Sequence, residues 1–237
     1  LAQELAEAVI GTGKTVVVLL RNGRALALSG KVREAAAILV TWYLGSESGN
    51  AIADVLYGVV GPGGRLPVSF PYDSGQEPYH YDHKPTGRPQ PPGPRVDYKA
   101  QYREVPNAAL YPFGHGLTYG SISYVDLKVG DGRLAWDGTL EVSARVTNSG
   151  KRAAEEVVQL YIHDRVASVT RPVRQLVGFT KVALAAGQSE VVRFTVRREL
   201  LAFEGPHGFA AEPGDFDVWI APSAQADGVS GSFTLLR

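Results

Sequence analysis

The sequence predicts a chain of α/β plus all-β class, in which a fragment with a parallel-type sheet is followed by an antiparallel β-sandwich. Three observations predict it. Helical and extended patterns alternate over residues 1–70. Nine of the fifteen prolines then fall within residues 71–112. From about Phe113 to Arg237, short alternating strands are separated by turn dipeptides.

The opening stretch LAQELAEAVI sets Leu1, Leu5, Ala8 and Val9 on one helical stripe, and Gly11 and Gly13 stop it. Thr15 to Leu20, TVVVLL, is an unbroken β-branched and apolar run that suits a strand covered on both faces by helices. A short helix around Lys31 to Ala36, a second buried strand AAILVTWY, a helix from Asn50 to Tyr57 and an extended LPVSF complete this part. Two or three parallel strands leave open sheet edges, so further strands are expected upstream of Leu1. The absence of methionine, even at position 1, agrees with a piece of a longer chain. The proline-dense middle, centred on KPTGRPQPPGPRVDY, can sustain neither a ladder nor a helix and reads as a connector. Its aromatic and basic side chains suggest that it lies against something.

Seven strands follow at regular spacing: SYVDLKV, TLEVSARVTN, EEVVQLYIHD, RQLVGFTKVAL, SEVVRFTVR, GDFDVWIA and GSFTLL. In the second of these, Leu140, Val142, Ala144 and Val146 face one way and Glu141, Ser143 and Arg145 the other, so one face packs and one is wet. This pattern predicts a sandwich of immunoglobulin or fibronectin III type.

Composition narrows the function classes. Twenty-four basic and twenty-four acidic residues give no net charge, which argues against tracking a nucleic-acid backbone or an anionic membrane surface. No apolar run is long enough to span a bilayer. The lack of cysteine removes disulfides, thiolate metal sites and a cysteine nucleophile, and leaves the compartment open. The loop GSESGN, Gly45 to Asn50, has the glycines of a phosphate cradle, but no lysine follows and Glu47 would repel an anion. Ser46, Ser48 or Asn50 can cap the following helix, with Glu47 at its positive end. Because the loop follows a strand of an α/β sheet, Glu47 also stands where ligands gather. His80, Asp82 and His83 lack a fourth ligand and make a poor metal site. Hydrogen bonding or stacking on a sugar or a neighbouring chain suits that segment better. His115, between two glycines, reads as a turn residue.

In order along the chain, WYLGSESGNAIADVLYGVVGPGGRLPVSFP, YHYDHKPTGRP, LYPFGHGLTYG, VTNSGKRAAEEVVQLYIHDRVASVTRPVRQLVGF and EPGDFDVWI resemble the C-terminal half of family 3 glycoside hydrolases, chiefly the bacterial periplasmic β-glucosidases. Ser46 and Ser48 depart from that family's commoner Gly-Gln-Glu-Gly-Gly-Asn. The resemblance implies that 1–75 is the later part of an α/β sandwich domain, 76–112 a connector and 113–237 a fibronectin type III-like domain. An N-terminal (β/α)8 barrel would lie outside the chain. It implies a retaining β-glucosidase acting on a β-glucoside or oligosaccharide with two carboxyl groups, neither of them in this chain, without cofactor or metal. It further implies a periplasmic or secreted location, and the connector is placed to reach the pocket rim of its own chain or of a homodimer partner. Substrate-adjacent candidates in this chain are Glu47, His83, Lys84 and Arg88. The competing readings are a non-catalytic glycan- or protein-binding module, and activity on a β-xyloside or another β-glycoside.

Overall fold

The computed structural model describes residues 2–91, 93–206 and 208–237. Leu1 of the predicted helical stripe and Pro92 of the connector lie outside them. Helix α1 (Ala2–Ile10) ends where predicted: the Gly11 amide bonds the Glu7 carbonyl and Gly13 takes φ +74°. Strands β1 (Val17–Leu20) and β2 (Ala37–Val40) pair in parallel, Val17 opposite Ala37 and Leu20 opposite Val40. The helix expected around Lys31 to Ala36 is a 3₁₀ turn, Gly30–Glu34. Arg33 fixes it, donating to the Leu28 carbonyl and, at 2.6 Å, to that of Tyr72. Helix α2 (Ser48–Leu56) begins two residues earlier than predicted.

Within the described residues one face of this parallel pair stays open, with Val17 and Leu19 43% and 41% exposed. The LPVSF segment joins no ladder, in keeping with the missing amide hydrogen of Pro67. Instead Phe70 makes one antiparallel bridge with Tyr111, and Leu66 exchanges backbone bonds with Gly114 and His115.

The sandwich is formed by β3 (Ile122–Val129), β4 (Arg133–Leu134), β5 (Leu140–Asn148), β6 (Ala154–Asp164), β7 (Gln175–Leu184), β8 (Ser189–Val196), β11 (Gly214–Ala221) and β12 (Val229–Leu235). Between β8 and β11 lies a hairpin of β9 (Phe203–Gly205) and β10 (Gly208–Ala210). One sheet runs β3-β5-β8 and the other β4-β12-β11-β6-β7. Val142, Val146, Val158, Leu160, Val218, Ile220 and Phe233 fill the space between them. Phe216 and Phe233 stack there at 5.2 Å. The alternation predicted for β5 holds for its apolar set, but Ser143 is buried rather than wet. It pairs in register with Lys128 on one side and Arg193 on the other, long side chains whose stems can cover a short neighbour on the same face. Asn148 at the end of β5 is wholly buried and ties three turns together. Its side-chain amide donates to Arg152 and Leu184 carbonyls, and its oxygen accepts from the Ser121 and Gly150 amides.

The α/β part meets the sandwich through a buried ion pair. Arg65, just before the LPVSF segment, donates to Glu156 of β6 at 2.6 Å, with side chains 6% and 3% exposed. The Tyr124 hydroxyl from the opposite sheet donates to the other Glu156 oxygen at 2.7 Å. Burial and the neighbouring Glu156 raise the Tyr124 pKa well above its ordinary value, so it remains a donor. A second contact lies nearby. Arg152 sits 5.1 Å over the Tyr119 ring and donates to the Gly58 carbonyl, while the Tyr119 hydroxyl bonds the Val55 carbonyl of α2 at 2.6 Å.

Glu156→Ala leaves Arg65 buried and unpaired, and is expected to lower stability by about 3–5 kcal/mol in a denaturant titration. Replacing both residues with methionine should cost much less, because no charge is left stranded.

Candidate functional site

The carboxyl ends of β1 and β2 lie side by side, since Leu20 pairs with Val40. The next residues, Asn22-Gly23 and Thr41-Trp42-Tyr43, therefore form one rim. The Thr41 hydroxyl bonds the Leu20 carbonyl at 3.0 Å. The Tyr43 ring lies so close over Gly23 that a Cβ there would stand 2.9 Å from it. Trp42 adopts φ +51°, a left-handed conformation unfavourable for an aromatic residue, and packs against Phe70 with ring centroids 6.1 Å apart. The sequence pattern had placed Trp42 within an ordinary strand; nothing in its neighbours signals the reversal of φ.

That reversal turns the chain into the Gly45–Asn50 loop. Glu47 occupies the N-cap position of α2, yet its side chain makes no cap bond. It accepts instead from the Asn50 side-chain amide at 2.6 Å. The expected caps from Ser46, Ser48 or Asn50 are not formed, because the residue at the cap position is Glu47 and the longer carboxylate reaches forward to Asn50. Glu47 is exposed at the rim.

The connector is anchored by aromatics. Tyr81 stacks on Phe113 at 4.2 Å and meets Tyr161 edge-on. Its hydroxyl accepts from the Leu176 amide at 3.3 Å. Arg174 closes this cluster, lying 4.3 Å over Trp219 and donating to the Ala224 and Ala226 carbonyls. Next to it, the His83 carbonyl accepts from the Val173 amide at 3.0 Å, and His83 Nδ1 lies 3.2 Å from the Lys84 carbonyl. The chain then loops out and returns, the Ala100 amide donating to the Arg88 carbonyl at 2.7 Å. His83, Lys84 and Arg88 are all exposed. Beyond Arg88 the loop carries a groove lined by Arg95, Asp97, Tyr98, Lys99, Gln101 and Arg103. Tyr98 is 91% exposed with φ +62°. The sequence showed basic side chains in the connector, but gave no sign of this groove.

The structure thus sets His83 beside Lys84 at the docked root of the loop and Arg88 at its neck. Among the described residues, no side-chain hydrogen bond or ion pair joins Glu47 to any of the three. Nor could any group of three or more His, Asp and Glu among them hold a metal ion. No helix there is long and apolar enough to cross a membrane. His115 forms the predicted turn after Gly114, which takes φ +79°. It stacks on Tyr111 at 5.4 Å, and burial together with nearby Arg65 lowers its pKa.

The profile of the glycosyl hydrolase family 3 C-terminal domain matches residues 1–119. The chain belongs to glycoside hydrolase family 3. The fibronectin type III-like profile matches residues 156–224, in agreement with an α/β part followed by a β-sandwich. A periplasmic beta-glucosidase of Salmonella typhimurium is 43% identical over 235 residues, covering 99% of this chain and 31% of that protein. A beta-xylosidase of Formosa agariphila is 39% identical, covering 95% and 30%. The crystal structure of a beta-glucosidase from Listeria innocua in complex with glucose superposes with TM-score 0.92 at 34% identity, over 98% of this chain and 32% of that one. The chain thus spans about a third of the length of these family 3 relatives.

His115 remains neutral in the fold at a pH where the unfolded chain, with an imidazole pKa of about 6.5, is already protonated. Its contribution to stability is present above that pH and lost as pH falls below it. Thermal melts from neutral to mildly acidic pH should fall more steeply for the wild type than for His115→Gln.

Proposed function

We propose that this chain is the C-terminal portion of a retaining β-glucosidase that hydrolyses terminal non-reducing β-D-glucosyl residues. The observation that carries the reading is the 43% identity to a periplasmic beta-glucosidase along essentially the whole chain, through both domains and the connector between them. We divide it into the later α/β sandwich domain (1–75), the connector (76–112) and the fibronectin type III-like domain (113–237). The nucleophile and the acid/base belong to an N-terminal part with the (β/α)8 barrel, their carboxyl groups about 5–5.5 Å apart so that protonation and attack act on one bound sugar. Neither comes from this chain. The substrate is a β-glucoside or oligosaccharide and the location periplasmic or secreted.

The role of this chain is to wall the pocket. Glu47 is exposed at the carboxyl ends of two parallel strands, the place where α/β sheets present ligands. There its carboxylate accepts from a sugar hydroxyl or a barrel residue. His83, Lys84 and Arg88 sit on a segment pinned at its root and exposed beyond it, which suits the rim of a pocket in its own chain or a partner. A glycan-binding module has less support. The indole of Trp219 is covered by Arg174 at 4.3 Å and that of Trp136 by Arg198 at 5.0 Å, so neither offers a bare platform for a sugar. β-Xyloside activity is the second reading, favoured by the 39% identity to a beta-xylosidase.

The test uses the whole protein on aryl β-glucosides and β-xylosides. Hydrolysis of the glucoside with the higher kcat/KM supports the reading; preference for the xyloside transfers it to the second. Glu47→Gln and Arg88→Ala alter exposed side chains, so their melting temperatures should be unchanged while kcat/KM falls at least several-fold. Unchanged kcat/KM in both would remove these residues from the pocket.

A further inference from the structure

One charged pair of the sandwich is buried without closing. Asp164, the last residue of β6, has a side chain 5% exposed, and Arg171 in the following segment has one 13% exposed. Arg171 Nε stands 4.0 Å from Asp164 Oδ2, beyond hydrogen-bond length. No hydrogen bond of full geometry reaches either Asp164 oxygen or Arg171 Nε, and the Val166 amide is the backbone donor turned towards the carboxylate. The rest of the guanidinium is engaged elsewhere: Nη2 donates to Gln175 at 3.1 Å, and the group lies 4.1 Å over the Phe203 ring. Ile162, Pro172, Leu201 and Phe216 wall the gap with apolar surface. An ionised carboxylate in such a place is costly, and an attraction at 4.0 Å offsets its lost hydration only in part.

The charged surroundings are few. Burial raises the Asp164 pKa and Glu212, which precedes β11, adds to the rise; the Val166 amide, Arg171 and His163 oppose it. Burial also lowers the Arg171 pKa. The exposed Arg165–Asp217 pair beside them is closed on itself at 2.5 Å.

What hangs on this pair is the segment 165–174. His163 Nδ1 lies 2.7 Å from the Pro172 carbonyl, the Val173 amide donates to the His83 carbonyl, and Arg174 is the cation of the aromatic cluster that seats the connector. Any movement of Arg171 and Pro172 is therefore passed to the root of the connector. We propose that Asp164 is a proton-responsive latch, which as the neutral acid lets the 165–174 segment and the root of the connector at His83 dock tightly on the sandwich, and on ionisation loosens both.

The sign follows from linkage. A docked state that buries the carboxyl binds its proton more tightly than an undocked state that exposes it to water, so docking strengthens as pH falls. It weakens as pH rises through the elevated range of Asp164. This goes beyond the glycosidase reading and does not rest on it, because docking is read without substrate.

The test is hydrogen exchange by mass spectrometry on the whole protein from about pH 4, near the ordinary pKa of an exposed aspartate, to about pH 7, corrected for the intrinsic pH dependence of exchange. Peptides covering 165–174 and 79–84 in the wild type should lose protection several-fold as pH rises, whereas Asp164→Asn should protect them equally throughout. A flat wild-type profile, or an Asp164→Asn profile with the wild-type slope, overturns the proposal. Should Asp164→Asn not fold, Arg171→Gln serves: removing the opposing cation should move the transition to higher pH, and an unmoved transition overturns the latch.

Discussion

The buried contact of Arg65 with Glu156 is the constraint on which the relative placement of the two halves depends. Arg65 comes from the α/β part, Glu156 from one sheet of the sandwich and Tyr124 from the other, so one carboxylate fixes three elements. A buried pair of this kind adds little net stability compared with apolar packing, since both charges lose their hydration. Its effect is on geometry: any other docking of the halves would strand a charge. Close backbone packing supports it. A Cβ on Gly116 would lie 2.7 Å from the Gly64 carbonyl oxygen, and one on Gly114 would collide with the Gln159 side chain.

Around this joint the molecule uses cations as covers for aromatic rings. Arg174 lies over Trp219, Arg152 over Tyr119, Arg198 over Trp136 and Arg171 over Phe203. The guanidiniums of Arg174, Arg152 and Arg198 also donate hydrogen bonds or pair with a carboxylate, so ring face and charge are satisfied together, whereas the Nε of Arg171 is left without a partner. This explains why a chain with no net charge can hold several arginines close to its sandwich core. It also leaves both sandwich tryptophans, Trp136 and Trp219, with a guanidinium over the ring.

The α/β rim and the connector share one design. Each is an exposed segment held by a buried base: the Glu47 loop by Trp42 against Phe70, and the connector by Tyr81 between Phe113 and Tyr161. In family 3 such segments would stand against a barrel outside this chain, and the exposed apolar residues of β1 together with Tyr43 and Tyr57 on the same half are of the kind that such a contact would cover.

The sequence by itself determined the class of each half and the presence of seven of the sandwich strands. Those features are local: period-2 alternation, proline density and turn dipeptides act through neighbouring residues only. The motif blocks likewise carried the family, because their order survives without knowledge of any contact. Only the tertiary structure decided the rest. Trp42 in a left-handed conformation against Phe70, and Ser143 buried between Lys128 and Arg193, depend on partners brought in by folding. The ion pair of Arg65 and Glu156 spans 91 positions, and the near-pair of Asp164 and Arg171 is defined by walls drawn from four separate elements. Burial decides what a charge costs, and burial is a property of the assembled layers, not of any stretch of sequence.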